Sequence, residues 1–230
     1  MRFRVRKLPV GPLQANCYLV WSVDSGGSTG GAAADGSAPA PGTPCLVIDP
    51  GAEPERILAA LQEERLRPEL VVATHCHGDH IGAADEVLAA FPKAQWAVGA
   101  AEAEWPARPA LNLSYGFGMP LEVRPPTRLL RDGEDIVVGP LTFRVLAVPG
   151  HSPGSLALYC AAGSSVFTGD ALFAGDIGRA DLPGGDERQL VESVRTKLLT
   201  LPDETVVWPG HANRSRVGFE KRNNPYVGES

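Results

Sequence analysis

Five histidines serve the whole chain, and three of them crowd into six residues. The stretch reads VVATHCHGDHIG and holds His75, His77, Asp79 and His80 directly after an apolar run. Such a run ending in polar residues predicts a buried strand that delivers the cluster into a loop. Residues two apart on an extended segment share a face, so His75 and His77 can address one target. As the chain bends, Asp79 and His80 can face a neighbouring point. Imidazoles this close repel one another when protonated, and burying them without a cation is costly. Imidazole and carboxylate are donors that zinc, iron and manganese accept.

One loop cannot complete two coordination spheres, so the missing ligands must come from elsewhere. The two remaining histidines sit in matching contexts: His151 in VPGHSPGS and His211 in WPGHAN, each after Pro-Gly at the end of an apolar strand. Between them, Asp170 closes the run SSVFTGD. Strand-end loops on a rigid scaffold commonly carry binding residues. A fold for this chain therefore has to bring three distant strand ends to the loop at residues 75–80.

The rest of the chain supplies suitable elements. RFRVRKL and NCYLVWSV alternate as strands joined by a turn-rich link. Residues 24–44 are rich in Gly, Ser, Ala and Pro, and read as a flexible low-complexity insert at an enlarged hairpin tip. CLVID reads as a strand, EPERILAALQEERL as a helix with Pro in its first turn, and ELVVATH as a buried strand. IGAADEVLAAF reads as one helix, QWAVGA as a strand, and the segment after it as a helix breaking into loop. Strands punctuated by DG and GP follow, then a hairpin turning at residues 162–165. GDERQLVESVRTKLLTL is an amphipathic helix with Asp186 at its cap, TVVWPGH a strand, and SRVGFEKRNN a last short helix. This order suits two sheets packed face to face with helices outside, in a single domain spanning 1–230.

The net charge of −6 argues against nucleic acid as a partner, and no run approaches the ~20 apolar residues of a membrane span. Cys17, Cys45, Cys76 and Cys160 lack CxxC spacing and read as free thiols of a cytoplasmic protein. Cys76 alternates away from the flanking histidines and is expected to be a small buried residue. Trp96, Trp105 and Tyr115 are expected in core packing.

The motifs THCHGDH, PGHSPGS, TGD and PGH, in this order and spacing, resemble the metallo-β-lactamase superfamily. The similarity runs from GPLQANCYLV to GFEKRNNPYV. It implies an α/β (α+β) fold, an αββα sandwich of two mixed β-sheets with outer helices and metals at one edge. By the family pattern, His75, His77 and His151 hold a first metal; Asp79, His80 and His211 hold a second; Asp170 bridges them. Two divalent ions are implied, zinc first, with iron or manganese as alternatives. Asp170 stands where β-lactamases typically carry cysteine, and His80 also departs from their pattern, which argues against lactam hydrolysis. LFAGDIGRADLPGGD and the C-terminal GFEKRNNPYV look like short glyoxalase II-type hydroxyacylglutathione hydrolases. Longer members carry a C-terminal helical region that grips glutathione, and only 19 residues follow His211 here.

The resemblance implies hydrolysis of a small-molecule thioester of the glutathione type, such as S-lactoylglutathione, through a metal-bridging hydroxide, with Asp79 as the catalytic carboxylate that orients it. Arg179 is placed to bind substrate, the alternative being a surface ion pair; Lys221 is a second candidate of the same kind. Asp49 in VIDPG is read either as an acceptor orienting a histidine ligand or as a turn-forming residue. A mononuclear-iron persulfide dioxygenase, using His75, His151 and Asp170, shares the THCH-x-DH cluster and is the competing reading. Nuclease action fits poorly with the acidic balance, and a purely structural zinc site is usually closed by sulfur ligands.

Overall fold

The alternating N-terminal run forms β1 (Arg2–Val10), and β2 (Ala15–Val23) folds back on it antiparallel, with Leu8 opposite Cys17. This computed structural model describes residues 2–23 and 39–229. Residues 24–38 of the expected insert lie outside the described residues. Its expected far end at 44 moves, because β3 (Thr43–Ile48) already includes Thr43 and Pro44. Strand β3 pairs antiparallel with β2, so the two strands on either side of the insert are neighbours.

Helix α1 (Pro54–Glu63) starts on Pro54, buries Ile57, Ala60 and Leu61, and stops before Arg65, which turns left-handed at φ 52. The strand after it, β4 (Leu66–Val72), begins earlier than its apolar run and takes in Pro68. The helix expected over 81–91 is α3 (Ala84–Ala90), which starts three residues later, and a separate helical turn, α2 (Gly78–Ile81), precedes it and carries Asp79 and His80. The Ala83 N–H donates to the Pro50 carbonyl at 2.8 Å, a tertiary bond that diverts the helical ladder at Gly82. Then come β5 (Gln95–Gly99), three short 3-10 turns between Ala100 and Phe117, and β6 (Arg128–Leu130).

The second half contributes β7 (Asp135–Val138), β8 (Leu141–Ala147), β9 (Leu156–Cys160), β10 (Ser165–Gly169), and a small hairpin of β11 (Leu172–Phe173) and β12 (Asp176–Ile177). Helix α4 (Glu187–Ser193) is capped by Asp186, whose carboxylate accepts the Gln189 N–H, and runs on as a π-helical turn at Val194–Leu198. The chain closes with β13 (Val206–Pro209), β14 (Ser215–Arg216) and α5 (Val217–Asn223).

Two mixed sheets result. One runs β1-β2-β3-β4-β5-β6 and the other β14-β13-β10-β9-β8-β7. Alternation then sorts the side chains into layers. Tyr18, Val20, Leu46, Ile48 and Val72 face Phe143, Val145, Leu158 and Phe167 between the sheets. The opposite faces of the same strands, through Leu19, Val47, Val71 and Trp96, pack against Ile57, Leu61 and Val87 of α1 and α3. On the far side, Val166 and Val207 pack against Leu190, Val194, Leu198 and Val217. The molecule is thus layered helix, sheet, sheet, helix. Burial on both faces explains why the central strands read as unbroken apolar runs rather than alternating ones. The four cysteines are free and buried in these layers. Among the described residues, no helix is long and apolar enough to cross a membrane.

Candidate metal centre

Strand direction decides where the chemistry collects. Strands β3 and β4 are parallel, and so are β10 and β13. Strand β8 is antiparallel to β9 and β9 to β10, so β8 points the same way as β10. The C-terminal ends of these strands carry Asp49, the 75–80 loop, His151, Asp170 and His211 to one edge of the sandwich. The β1–β2 turn reaches the same edge, where Asn16 and Tyr18 side chains donate to the Pro209 carbonyl at 2.9 and 2.6 Å. These bonds fix the loop that carries His211.

The structure brings together all seven residues expected as metal ligands. The His151 Nε2 lies 3.2 Å from His75 Nε2 and 3.1 Å from His77 Nδ1. The His80 Nε2 lies 3.3 Å from His211 Nε2 and 3.6 Å from Asp79 Oδ2, with His211 Nε2 3.3 Å from the same oxygen. Asp170 sits between the two sets: Oδ1 is 3.4 Å from His80 Nε2, and Oδ2 is 3.7 Å from His151 Nε2 and 3.6 Å from His211 Nε2. Among the described residues, three groups have metal-ligating spacing: His75, His77, His151; His75, His80, Asp170; and Asp79, His80, His211.

Hydrogen bonds on the outer side of the rings set the tautomers. A carbonyl only accepts, so His151 Nδ1 carries hydrogen toward the Arg179 carbonyl at 2.6 Å, and His211 Nδ1 toward the Leu13 carbonyl at 3.1 Å. His80 Nδ1 donates to Asp49 Oδ2 at 3.0 Å. The Thr74 hydroxyl gives its hydrogen to Asp49 at 2.7 Å, leaving a lone pair for His75 Nδ1 at 3.3 Å. Four imidazoles therefore keep hydrogen on Nδ1 and turn Nε2 toward one another, within reach of carboxylate oxygens. Asp170 Oδ1 is buried with no hydrogen-bond partner. Nitrogens and carboxylate oxygens converging in this way need positive charge among them, from protons or from metal, and this donor set fits divalent metal ions.

Electrostatics divides the cluster. Burial, then the neighbouring histidines, push His75 well below the ordinary imidazole value, and burial with His151 pushes His77 down to about 3. Burial acts the same way on His80, but the carboxylates of Asp170, Asp79 and Asp49 outweigh it and lift His80 to about 10. His211 is raised too: burial opposes the shift, and the bond to Asp79 and the charge of Asp170 prevail. Burial likewise works against ionising Asp79, while His80 and His211 hold that carboxyl below its usual range.

Asp49 meets both readings given to it: it turns the chain at φ 52 before Pro50, and its carboxylate orients His80. The Arg179 guanidinium pairs with Asp181 at 2.7 and 2.8 Å on the surface, the ion-pair alternative, and only its carbonyl meets the cluster. Lys221 Nζ pairs with Asp203 at 2.7 Å and with the Leu201 carbonyl. Cys76 is buried. Trp96 is buried in the core and Trp105 stacks on His77, whereas Tyr115, expected in the core, is 71% exposed on the 3-10 turn Ser114–Phe117.

Sequence reasoning missed three partners of the cluster. Thr74 bridges Asp49 and His75, the Leu13 carbonyl orients His211, and the buried Glu102 carboxylate accepts N–H groups from two of the loops. A glutamate inside the mostly small and apolar stretch AVGAAEAEW was the one signal available for Glu102.

Comparison with known proteins places these features. The chain matches the family model of the metallo-beta-lactamase superfamily over residues 40–211. It is 36% identical over 96% of both chains to the probable metallo-hydrolase YqgX of Bacillus subtilis. It is 33% identical, again over 96% of both, to hydroxyacylglutathione hydrolase GloC of Haemophilus influenzae. Among solved structures it resembles the B3 metallo-beta-lactamase BLEG-1 with a TM-score of 0.86 and 34% identity, covering 97% of this chain and 99% of that one. TTHA1623 in a di-iron-bound form gives 0.78 and 36%, covering 96% and 100%. ETHE1 from Myxococcus xanthus gives 0.71 and 30%, covering 99% and 86%.

Proposed function

This chain belongs to the metallo-β-lactamase superfamily, and from that premise we propose that it is a metal-dependent hydrolase of glutathione-type thioesters such as S-lactoylglutathione. One observation carries the metal half of the reading: inward-facing imidazole nitrogens converge on a buried carboxylate oxygen of Asp170 that has no hydrogen-bond partner. His75, His77 and His151 would hold one ion, Asp79, His80 and His211 a second, and Asp170 would contact both. A pair of divalent ions, when bound, supplies Lewis-acid polarisation of a carbonyl and makes water acidic enough to ionise near neutral pH. Zinc, iron and manganese all suit these donors, and the similarity to a di-iron protein keeps iron among them.

The chain's own residues supply the rest. His75 and His80 are buried, while Asp79 and His211 side chains are 25% and 26% exposed, so substrate approaches from the Asp79–His211 side. There the ionised Asp79 carboxylate can accept a hydrogen bond from the attacking water and hold its lone pair toward the substrate carbonyl. A thioester suits the site because a thiolate leaves without strong help from a general acid. The thioester reading is supported by the similarity to GloC, whose name describes that reaction. Arg179 and Lys221, expected to bind the substrate, are each engaged by a carboxylate, Asp181 and Asp203.

Similarity to ETHE1 favours a second reading, a mononuclear-iron persulfide dioxygenase built on His75, His151 and Asp170. Similarity to BLEG-1 brings β-lactams back among the substrates to be assayed, despite Asp170 and His80. The test uses metal-analysed protein with three substrates: an acylated glutathione, a glutathione persulfide in an oxygen electrode, and a chromogenic β-lactam. We expect thioester cleavage that chelation abolishes and divalent metal restores. Oxygen uptake with the persulfide, or no turnover of any acylated thiol by metal-loaded protein, overturns the proposal.

A further inference from the structure

Behind the metal cluster lies a glutamate that the hydrolytic reading does not use. Glu102 ends a 3-10 turn directly after β5 and is fully buried. Its two carboxylate oxygens serve two different loops. Oε2 accepts the backbone N–H of Cys76, the residue between His75 and His77, at 2.7 Å. Oε1 accepts the backbone N–H of Gly154, three residues after His151, at 2.9 Å. A carboxylate accepting two N–H groups makes charge-assisted bonds, roughly twice as strong as neutral ones.

The packing leaves this joint little freedom. A methyl group on Gly154 would lie 2.7–2.9 Å from the Glu102 side chain, and one on Gly99 would lie 2.1 Å from the Gly154 carbonyl oxygen. Both glycines are thus needed for the end of β5 to press against the His151 loop. On its other side the same turn touches the cluster, with Cys76 Sγ 4.0 Å from the Glu102 carbonyl. One side chain therefore spans the only two segments that supply His75, His77 and His151. No comparable link from Glu102 to Asp79, His80 or His211 exists among the described residues.

We propose that Glu102 is a positioning residue that clamps the 75–77 and 151–154 loops in register and so sets the affinity and geometry of the three-histidine centre. This rests on reading that centre as a metal site. Second contacts of this kind commonly alter metal affinity by roughly 10–100-fold. In Glu102→Gln the amide can accept one of the two N–H groups, but its own NH2 must face the other, donor against donor.

The test is cobalt(II) binding to metal-stripped protein, read by chelator competition and by the visible absorption of the bound ion. Glu220→Gln is the comparison, since Glu220 is equally buried, accepts Gly175 N–H and Asn224 Nδ2, and lies outside the cluster. For Glu102→Gln we expect about a 10–100-fold loss of affinity at one centre with an altered spectrum, and little change at the other. Glu220→Gln should lower the melting temperature and leave both affinities alone. Unchanged affinity and spectrum in Glu102→Gln overturn the clamp, and so does equal weakening of both centres, which would mark a residue that only holds the fold. If Glu102→Gln does not fold, hydrogen exchange on the unaltered metal-free protein decides: slow Cys76 and Gly154 amides support the clamp, and exchange as fast as exposed loop amides overturns it. Failure of the unaltered protein to bind any metal would instead sink the metal reading itself.

Discussion

At the scale of single residues, the histidines of this cluster are not equivalent, and the difference has a measurable sign. Metal binding needs the nitrogen lone pair, so protonated ligands must release their protons. His75 and His77 are held neutral far into acid, mainly by burial. His80, lifted to about 10 as three carboxylates outweigh its burial, carries a proton at neutral pH in the metal-free protein, and His211 is shifted in the same direction by Asp79 and Asp170. The raised His80 pKa favours the metal-free fold fully below the ordinary value of 6.5, and that contribution fades as pH climbs through about 10. A cation does the opposite: it replaces the proton, so affinity at the Asp79–His80–His211 centre should rise with pH from neutral toward 10. Calorimetry of metal binding in two buffers of different ionisation enthalpy near neutral pH should show protons released. Zero net release would mean that the carboxylates do not protonate these rings.

At the scale of elements, the centre depends on how closely its loops approach. The loop after β3 lies directly on the turn into α2, so that a methyl group on Gly51 would sit 1.6 Å from the Asp79 carbonyl oxygen. That neighbour is backbone and cannot rotate away. Gly51→Ala should therefore cost about 1–3 kcal/mol of stability, as forced overpacking typically does, and should displace Asp79 enough to reduce turnover. Urea unfolding checks it: the midpoint should fall with little change in slope. A midpoint equal to that of the unaltered protein would show that the loop relaxes freely. The elements also show why local pattern misjudged some boundaries. IGAADEVLAAF has helical periodicity throughout, yet the Pro50 carbonyl captures the Ala83 N–H, and its helix starts only at Ala84, after the separate turn that ends at Ile81. GDERQLVESVRTKLLTL kept its cap at Asp186 as read, because that bond is local. Tyr115, expected in the core, is exposed on a loop that docks on Gly78 through the Asn112 carbonyl.

For the whole molecule, the cluster ties both sheets together, since His75 and His77 follow a strand of one and His151, Asp170 and His211 follow strands of the other. Metal held there should stabilise the entire sandwich. A ligand at about 100 times its dissociation constant adds about 2.7 kcal/mol, which for a chain of this size corresponds to roughly 5–11 °C in melting temperature per centre. Thermal scans with chelator, then with metal restored, should show that drop and its recovery. An unchanged melting temperature would mean that no bound ion bridges the sheets. The donor set was legible in the order of residues alone, because the crowding in THCHGDH, the two PGH segments and Asp170 are local chemical facts. So were most strands and helices, whose periodicity is local. The partners brought in by folding were not legible there: Glu102, the Asp49 carboxylate on Thr74, and the carbonyls of Leu13 and Arg179. Lys221 likewise meets a carboxylate, Asp203, 18 residues away, whereas Asp181, which holds Arg179, lies only two residues along the same segment. Periodicity reports which way a side chain leaves its own strand or helix, but hydrogen bonds and ion pairs depend on distances between segments, and these exist only once the two sheets have closed on each other.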